Sequence, residues 1–282
     1  MAKYETSSIR NLALVGGPAT GKTSLAEVLL ATTGAIPRAG SVKDKNTVSD
    51  VDDEEKEKQH SIFMGVLHAD PKGHHLNILD CPGYPDYRGE TAAAMGAVET
   101  AVMCVTAGEG VTFPGRKAWD LATRSGRARC VVVTHVDAAE FDPAALVDEL
   151  SEGLGVRCLA VTWPRGTGET FEGVDRVPMG DKAEGDLEDL RNALIEAVVE
   201  VDALEDLEIA GEVRLGAVLS GGADDHAHVV RDGEFAGSLA DALARFLDLR
   251  LQVRVGVLPA GHEAAVVVES FFLAAEGVER LG

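Results

Sequence analysis

The chain has 282 residues, 45% of them hydrophobic, and 26 Lys and Arg against 47 Asp and Glu give a net charge of -21. The length suffices for a buried core, as one large domain or as a domain carrying a sizeable insertion. No window reaches the roughly 18 consecutive apolar residues of a membrane span, the first residues carry no apolar signal region, and the acidic excess opposes broad capture of a nucleic-acid backbone. The expectation is a cytoplasmic protein with no membrane and no general nucleic-acid partner.

The first apolar run, NLALVGG at 11–17, reads as a strand, and Leu25, Val28 and Leu29 share one helical face shortly after it. Between them stands GGPATGKT, residues 16–23, which fits the phosphate-loop pattern G-x-x-x-x-G-K-[ST] in its required strand-to-helix setting. Backbone amides and a helix N-terminus must surround the anionic phosphates, which glycines at 16 and 21 permit. The candidate nucleotide contacts are Gly16, Gly17, Pro18, Ala19, Thr20, Gly21, Lys22, Thr23 and Ser24, with Lys22 reaching the β- and γ-phosphates and Thr23 ligating Mg2+. The loop alone does not choose between ATP and GTP, or between a kinase and a switch.

The densest acidic run, DVDDEEKEK at 50–58, reads as a solvated mobile segment. A second strand, LNILDCPG at 76–83, ends in Asp80, suited to holding Mg2+ through water, and in Gly83, whose amide can contact a γ-phosphate. A plain tight turn at CPG is the alternative. TAVMCVTA at 100–107 is a third strand, followed by a helix that opens on Pro114 and closes on Gly126, with Trp119 expected in its core. RCVVVTHVD at 129–137 is a fourth. The Asp137 carboxylate at its end can accept hydrogen bonds from the N1–H and exocyclic amine of guanine, a donor pair adenine lacks. The alternative is a helix N-cap before DAAEFDPAAL. Near-continuous apolar strands alternating with helices predict a doubly wound, mostly parallel α/β domain.

Residues 156–212 interrupt the series with apolar faces of their own, including Leu187, Leu190, Leu194 and Val198 on one side of a long helix. RLGAVLSGG at 214–222 and SLADALARFLDL at 238–249 resume it. The predicted organisation is therefore a main domain over 1–155 and 213–250, an inserted α/β subdomain over 156–212, and a segment, 251–282, with two β-like runs of unassigned place. Cys81, Cys104, Cys130 and Cys158 lack zinc-site spacing and read as small buried hydrophobes. GHH at 73–75 and DDHAH at 224–228 lack further clustered ligands and are not read as metal sites.

The phosphate loop, the Asp80–Gly83 turn and the Thr134–Asp137 motif, in this order, resemble the GTP-binding domain of translational GTPases, most closely that of elongation factor G. The likeness covers roughly residues 9–250: RNLALVGGPATGKTSLAEVLLATTGAI is similar to that family's first strand, loop and helix, 38–63 to its first switch, and the insertion to its extra α/β subdomain. It implies a P-loop fold, GTP and GDP as ligands, Mg2+ as cofactor, hydrolysis of GTP, and the ribosome or another translation factor as partner. It further implies that Ser220, Gly221 and Gly222 contact the base, and that Ser61 stands for the threonine that contacts Mg2+.

Two departures carry consequences. The family's Asn-Lys-x-Asp is Thr134, His135, Val136 and Asp137 here, which predicts weaker guanine binding, with one hydroxyl retained and His135 stacking over the base. Tyr84 stands where the family has a histidine that orients the attacking water. A phenol, with an ordinary pKa of about 10, can hydrogen-bond a water but is a poor base near neutrality. The expected catalytic set is Lys22, Gly83 and Tyr84 with slow turnover. The alternative is a non-catalytic guanine-nucleotide-dependent binding module. The family's further domains have no counterpart in this sequence, so translocation is not expected.

Overall fold

The computed structural model describes residues 4–71, 73–177, 185–205 and 266–268. In chain order the elements are β1 (Ile9–Gly16), α1 (Lys22–Thr32), α2 (Asp53–Lys58), β2 (Gly65–Ala69), β3 (His75–Asp80), α3 (Arg88–Met95), β4 (Thr100–Thr106), α4 (Phe113–Arg124), β5 (Ala128–Thr134), α5 (Pro143–Leu154), β6 (Cys158–Ala160), β7 (Thr162–Arg165), β8 (Gly173–Arg176), α6 (Asp186–Glu205) and β9 (Val266–Val268). One seven-stranded sheet runs β2-β3-β1-β4-β5-β9-β6. Every pairing in it is parallel except β2 against β3.

The apolar runs are strands because both their faces are covered. In β1, Leu12 and Leu14 join one core with Leu25, Val28 and Leu29 of α1, while Ala13 and Val15 join the other. That second core takes Met95 of α3, Trp119 and Ala122 of α4, and Leu146 and Leu150 of α5. β4 and β5 alternate in the same way, with Val102, Cys104, Cys130 and Val132 on the α1 side and Met103, Val105, Val131 and Val133 on the other. Each buried Leu or Val contributes about 1.5–3 kcal/mol of transfer free energy, so the doubly wound architecture follows from the hydrophobic period. All four cysteines are free and buried in this sandwich, as expected of small hydrophobes.

Four points correct or complete the sequence reading. The acidic run at 50–58 is ordered: Asp52 and Glu55 form a capping box that starts α2, which ends at Gln59 in a left-handed conformation. β2, a short antiparallel edge strand, was not predicted. Cys158–Ala160, assigned above to the insertion, pairs with β9 within the main sheet, so the chain leaves that sheet only after Ala160. Beyond it, β7 and β8 pair as an antiparallel hairpin, and Leu194 and Ala197 of α6 pack on Leu159 and Val177. Val266–Val268, inside one of the unassigned β-like runs, supplies β9. The segments 214–222 and 238–249, and with them Ser220, Gly221, Gly222 and the DDHAH stretch, lie outside the described residues. Among the described residues no helix is long and apolar enough to cross a membrane.

Candidate functional site

The carboxyl ends of β1, β3 and β5 meet where an open α/β sheet places its ligands. β1 runs out at Gly16 and α1 begins at Lys22, with Gly21 as its left-handed cap residue. Gly17 to Thr20 therefore form the loop joining them, Thr23 sits in the first turn of α1, and Ser24, beside it, is exposed. The Lys22 ammonium is buried and donates to the Gly17 carbonyl at 2.6 Å, and the Thr20 hydroxyl donates to the same oxygen at 2.9 Å. Burial lowers the Lys22 pKa, partly offset by the charge of Asp80. A cation held out of water at a helix N-terminus favours an anion beside it.

Asp80 closes β3 and is wholly buried. Its Oδ2 accepts from the Thr23 hydroxyl at 2.8 Å, while Oδ1 is buried with no hydrogen-bond partner of normal geometry. Burial pushes its pKa up to about 6 against the opposing pull of the Thr23 hydroxyl and the Lys22 charge. Burial thus disfavours the charged carboxylate, which a nearby cation would favour. Ser61 reaches the same place: its hydroxyl lies 3.5 Å from that of Thr23 and donates to Asp50 Oδ1 at 2.7 Å. Hydroxyl and carboxylate oxygens are the donors a hard divalent cation takes. Thr23, Ser61 and Asp80 therefore fit Mg2+.

The turn after Asp80 is set directly on the phosphate loop. A Cβ on Gly83 would come within 2.5 Å of the Gly17 carbonyl oxygen and 2.6 Å of the Pro18 nitrogen, so only glycine allows the approach. That close packing goes beyond what a free-standing tight turn needs. Cys81, beside it, is fully buried with its thiol pKa pushed up to about 12 by burial, which makes it inert rather than redox-sensitive. Tyr84 is 40% exposed, and its ring meets that of His60 at 4.5 Å between centroids with a 49° tilt.

At the other edge, Thr134 ends β5 and its buried hydroxyl lies 3.1 Å from the carbonyls of both Thr20 and Val105. One hydroxyl proton thus ties the phosphate loop to the sheet. His135 takes a left-handed φ of 58°, and its Nδ1 lies 3.0 Å from the Thr134 hydroxyl. Both side chains abut the loop: a Cβ on Gly21 would lie 3.3 Å from Thr134 Cγ2 and 3.4 Å from His135 Cε1. Asp137 is half-buried in the turn that follows. It is not a helix cap, since α5 starts at Pro143 and its cap is Asp142, which accepts from the Ala144 amide.

Sequence reasoning missed the carboxylates that hold residues 40–63. Glu27 of α1, buried, accepts from the amides of Gly40 at 2.7 Å and Val48 at 2.5 Å. Glu55 accepts from the amides of Asp52, Ile62 and Phe63 at 2.9–3.1 Å. Asp50 accepts from Thr47 as well as Ser61. The capping-box spacing of Asp52 and Glu55 was a legible sign that this acidic stretch is structured. No such signal marked Glu27. Trp119 is core, with the Arg129 guanidinium 4.7 Å above its ring.

The family model described as the elongation factor Tu GTP binding domain matches residues 7–251. A peptide chain release factor 3 of Gloeothece citriformis is 31% identical over 281 residues, spanning 91% of this chain and 51% of its own. An elongation factor G-like protein of Mycobacterium tuberculosis is 32% identical over 211 residues, 71% of this chain and 29% of its own. A solved structure from Thermus thermophilus, 30% identical, aligns with a TM-score of 0.69 over 98% of this chain and 39% of the other. The chain thus spans about half or less of the length of these relatives.

Proposed function

Because the chain belongs to the translational GTPases through their elongation factor Tu-type GTP-binding domain, we propose that it binds GTP and GDP and hydrolyses GTP slowly with Mg2+. The observation that carries this reading is the junction of three elements at one point. Lys22 is buried in the loop, Thr23 is bonded to Asp80, and Gly83 sits against Gly17. A phosphate-bearing ligand with a cation suits this junction, because a buried ammonium and a helix N-terminus favour an anion while the Thr23 hydroxyl and the Asp80 carboxylate favour a cation beside it.

In this reading Lys22 and the loop amides of residues 16–24 hold the phosphates, and Thr23, Ser61 and, through water, Asp80 hold Mg2+. The metal, when bound, neutralises charge developing on the transferred phosphoryl group. Asp137 reads the base, His135 covers it, and the Thr134 hydroxyl keeps the loop in place. The Gly83 amide follows the γ-phosphate, so that residues 40–63 and the Tyr84 turn respond to its loss. The main domain, its sheet extended by Cys158–Ala160 and Val266–Val268, carries this chemistry, with Ser220, Gly221 and Gly222 as further base contacts. The setting proposed is the cytoplasm, and the partner the ribosome or another translation factor.

A second reading, a guanine-nucleotide-dependent binding module without turnover, is favoured by Tyr84 in the place of a water-orienting histidine. Phosphate release from GTP, with Mg2+ and with EDTA, separates the two. Release with Mg2+ that EDTA abolishes is the expected result; tight GTP binding with no release in either condition establishes the second.

A further inference from the structure

Resting on the hydrolase reading, we propose that His60 supplies the imidazole that Tyr84 does not, holding the attacking water, and that the Tyr84 ring is what positions it. His60 sits at the end of a frame that leaves it little freedom. Gln59, left-handed at φ 55°, ends α2, and the His60 amide closes back on the Glu55 carbonyl at 3.3 Å. On its other side Ser61 is tied to Asp50 at 2.7 Å and lies 3.5 Å from Thr23, and the next two amides are bonded to Glu55. The backbone on both sides of His60 is thereby fixed next to the candidate metal position.

The ring is oriented as well. Its Nδ1 lies 3.2 Å from the Lys58 carbonyl, which can only accept, so in the neutral ring the proton sits on Nδ1 and Nε2 is the acceptor. Its face meets the Tyr84 ring at 4.5 Å and the Tyr87 ring at 6.3 Å. Tyr84 directly follows Gly83, the residue seated on the phosphate loop. An imidazole from the 38–63 segment thus stands against Tyr84, the residue after Gly83, and directly before Ser61, beside the candidate metal position. Half-exposed Tyr84 offers an aromatic wall that fixes the ring at little entropic cost.

In the reaction the water oxygen bonds to the γ-phosphorus. The bond to the β–γ bridging oxygen breaks, its electron pair leaving on GDP, and the water's proton passes to the departing phosphate. His60 Nε2 accepts the hydrogen bond that aims the water, while Tyr84 acts through His60 as a positioning residue.

The test is single-turnover hydrolysis by the full chain, with GTP affinity measured in parallel, for wild type, His60→Ala, His60→Gln, Tyr84→Ala and the double alanine variant. Holding a reacting water is expected to be worth about tenfold or more. His60→Ala should therefore slow the step by about that factor with GTP affinity unchanged within about twofold. His60→Gln, which keeps an acceptor, should recover part of the rate, and Tyr84→Ala should add nothing to His60→Ala. An unchanged rate in His60→Ala, a loss matched by equal loss of affinity, no recovery by Gln, or effects that multiply would each overturn the assignment while leaving a GTPase. A wild type that binds GTP and never hydrolyses it overturns the hydrolase reading and this assignment together.

Discussion

The two ends of the site keep their geometry by different means. At the phosphate end the chain retains the residue types the chemistry demands, Lys22, Thr23, Asp80 and Gly83, and adds three carboxylates that clamp the adjoining segment through its amides and hydroxyls. At the base end the residue types change, yet the Thr134 hydroxyl still reaches the Thr20 carbonyl at 3.1 Å and His135 still packs against Gly21. Phosphate binding tolerates little substitution because it needs a fixed charge and backbone donors at a helix N-terminus. A brace needs only one donor of the right reach, which a hydroxyl provides.

This contrast is open to attack from both sides. Lys22→Ala removes the buried cation of the 16–23 loop, and GTP affinity should fall roughly 100-fold in a calorimetric titration; a loss below about tenfold would deny the phosphate end its dominance. Glu55→Ala leaves amides of Asp52, Ile62 and Phe63 without their acceptor and should lower stability by about 2 kcal/mol in urea unfolding. Amide exchange across 52–63 should rise with it, and unchanged protection there would mean the clamp is not structural. Tyr84→Leu removes the aromatic wall against His60 and should slow the single-turnover step by up to about tenfold at unchanged affinity; an equal or higher rate would mean that the ring does not position His60. Thr134→Val keeps shape and removes the hydroxyl, so GTP affinity should drop about fivefold, one hydrogen bond's worth. No change would show that the base-end brace is incidental.

The phosphate loop was legible because its pattern is contiguous and its strand and helix neighbours announce themselves by period. Asp80 was legible as a carboxylate ending an apolar strand, and Asp137 as one just beyond another, which stops at Thr134 rather than running to Asp137. Of the clamp only the capping-box spacing of Asp52 and Glu55 was legible, because a sequence shows Glu27 and Asp50 as charges and charges are normally solvated. What satisfies them is a supply of amide and hydroxyl donors from positions 3 to 21 residues away, brought back by the turns between. β2 escaped because five residues on an edge, only two of them buried, leave a weak alternation. The placement of Cys158–Ala160 and Val266–Val268 side by side depends on a pairing across more than a hundred residues, which local pattern cannot express. The His60–Tyr84 contact is likewise a meeting of two segments.

In the proposed function Asp137 selects guanine above the phosphate loop. The most direct measurement is calorimetry of nucleotide-stripped protein with GTP, GDP, ATP and XTP in Mg2+, for wild type and Asp137→Asn. Selective binding of GTP and GDP by the wild type is expected, moving to XTP in the variant, because an Asn side chain matches the carbonyl that xanthine presents. Equal binding of ATP and GTP, or no nucleotide binding by the folded protein, would contradict it.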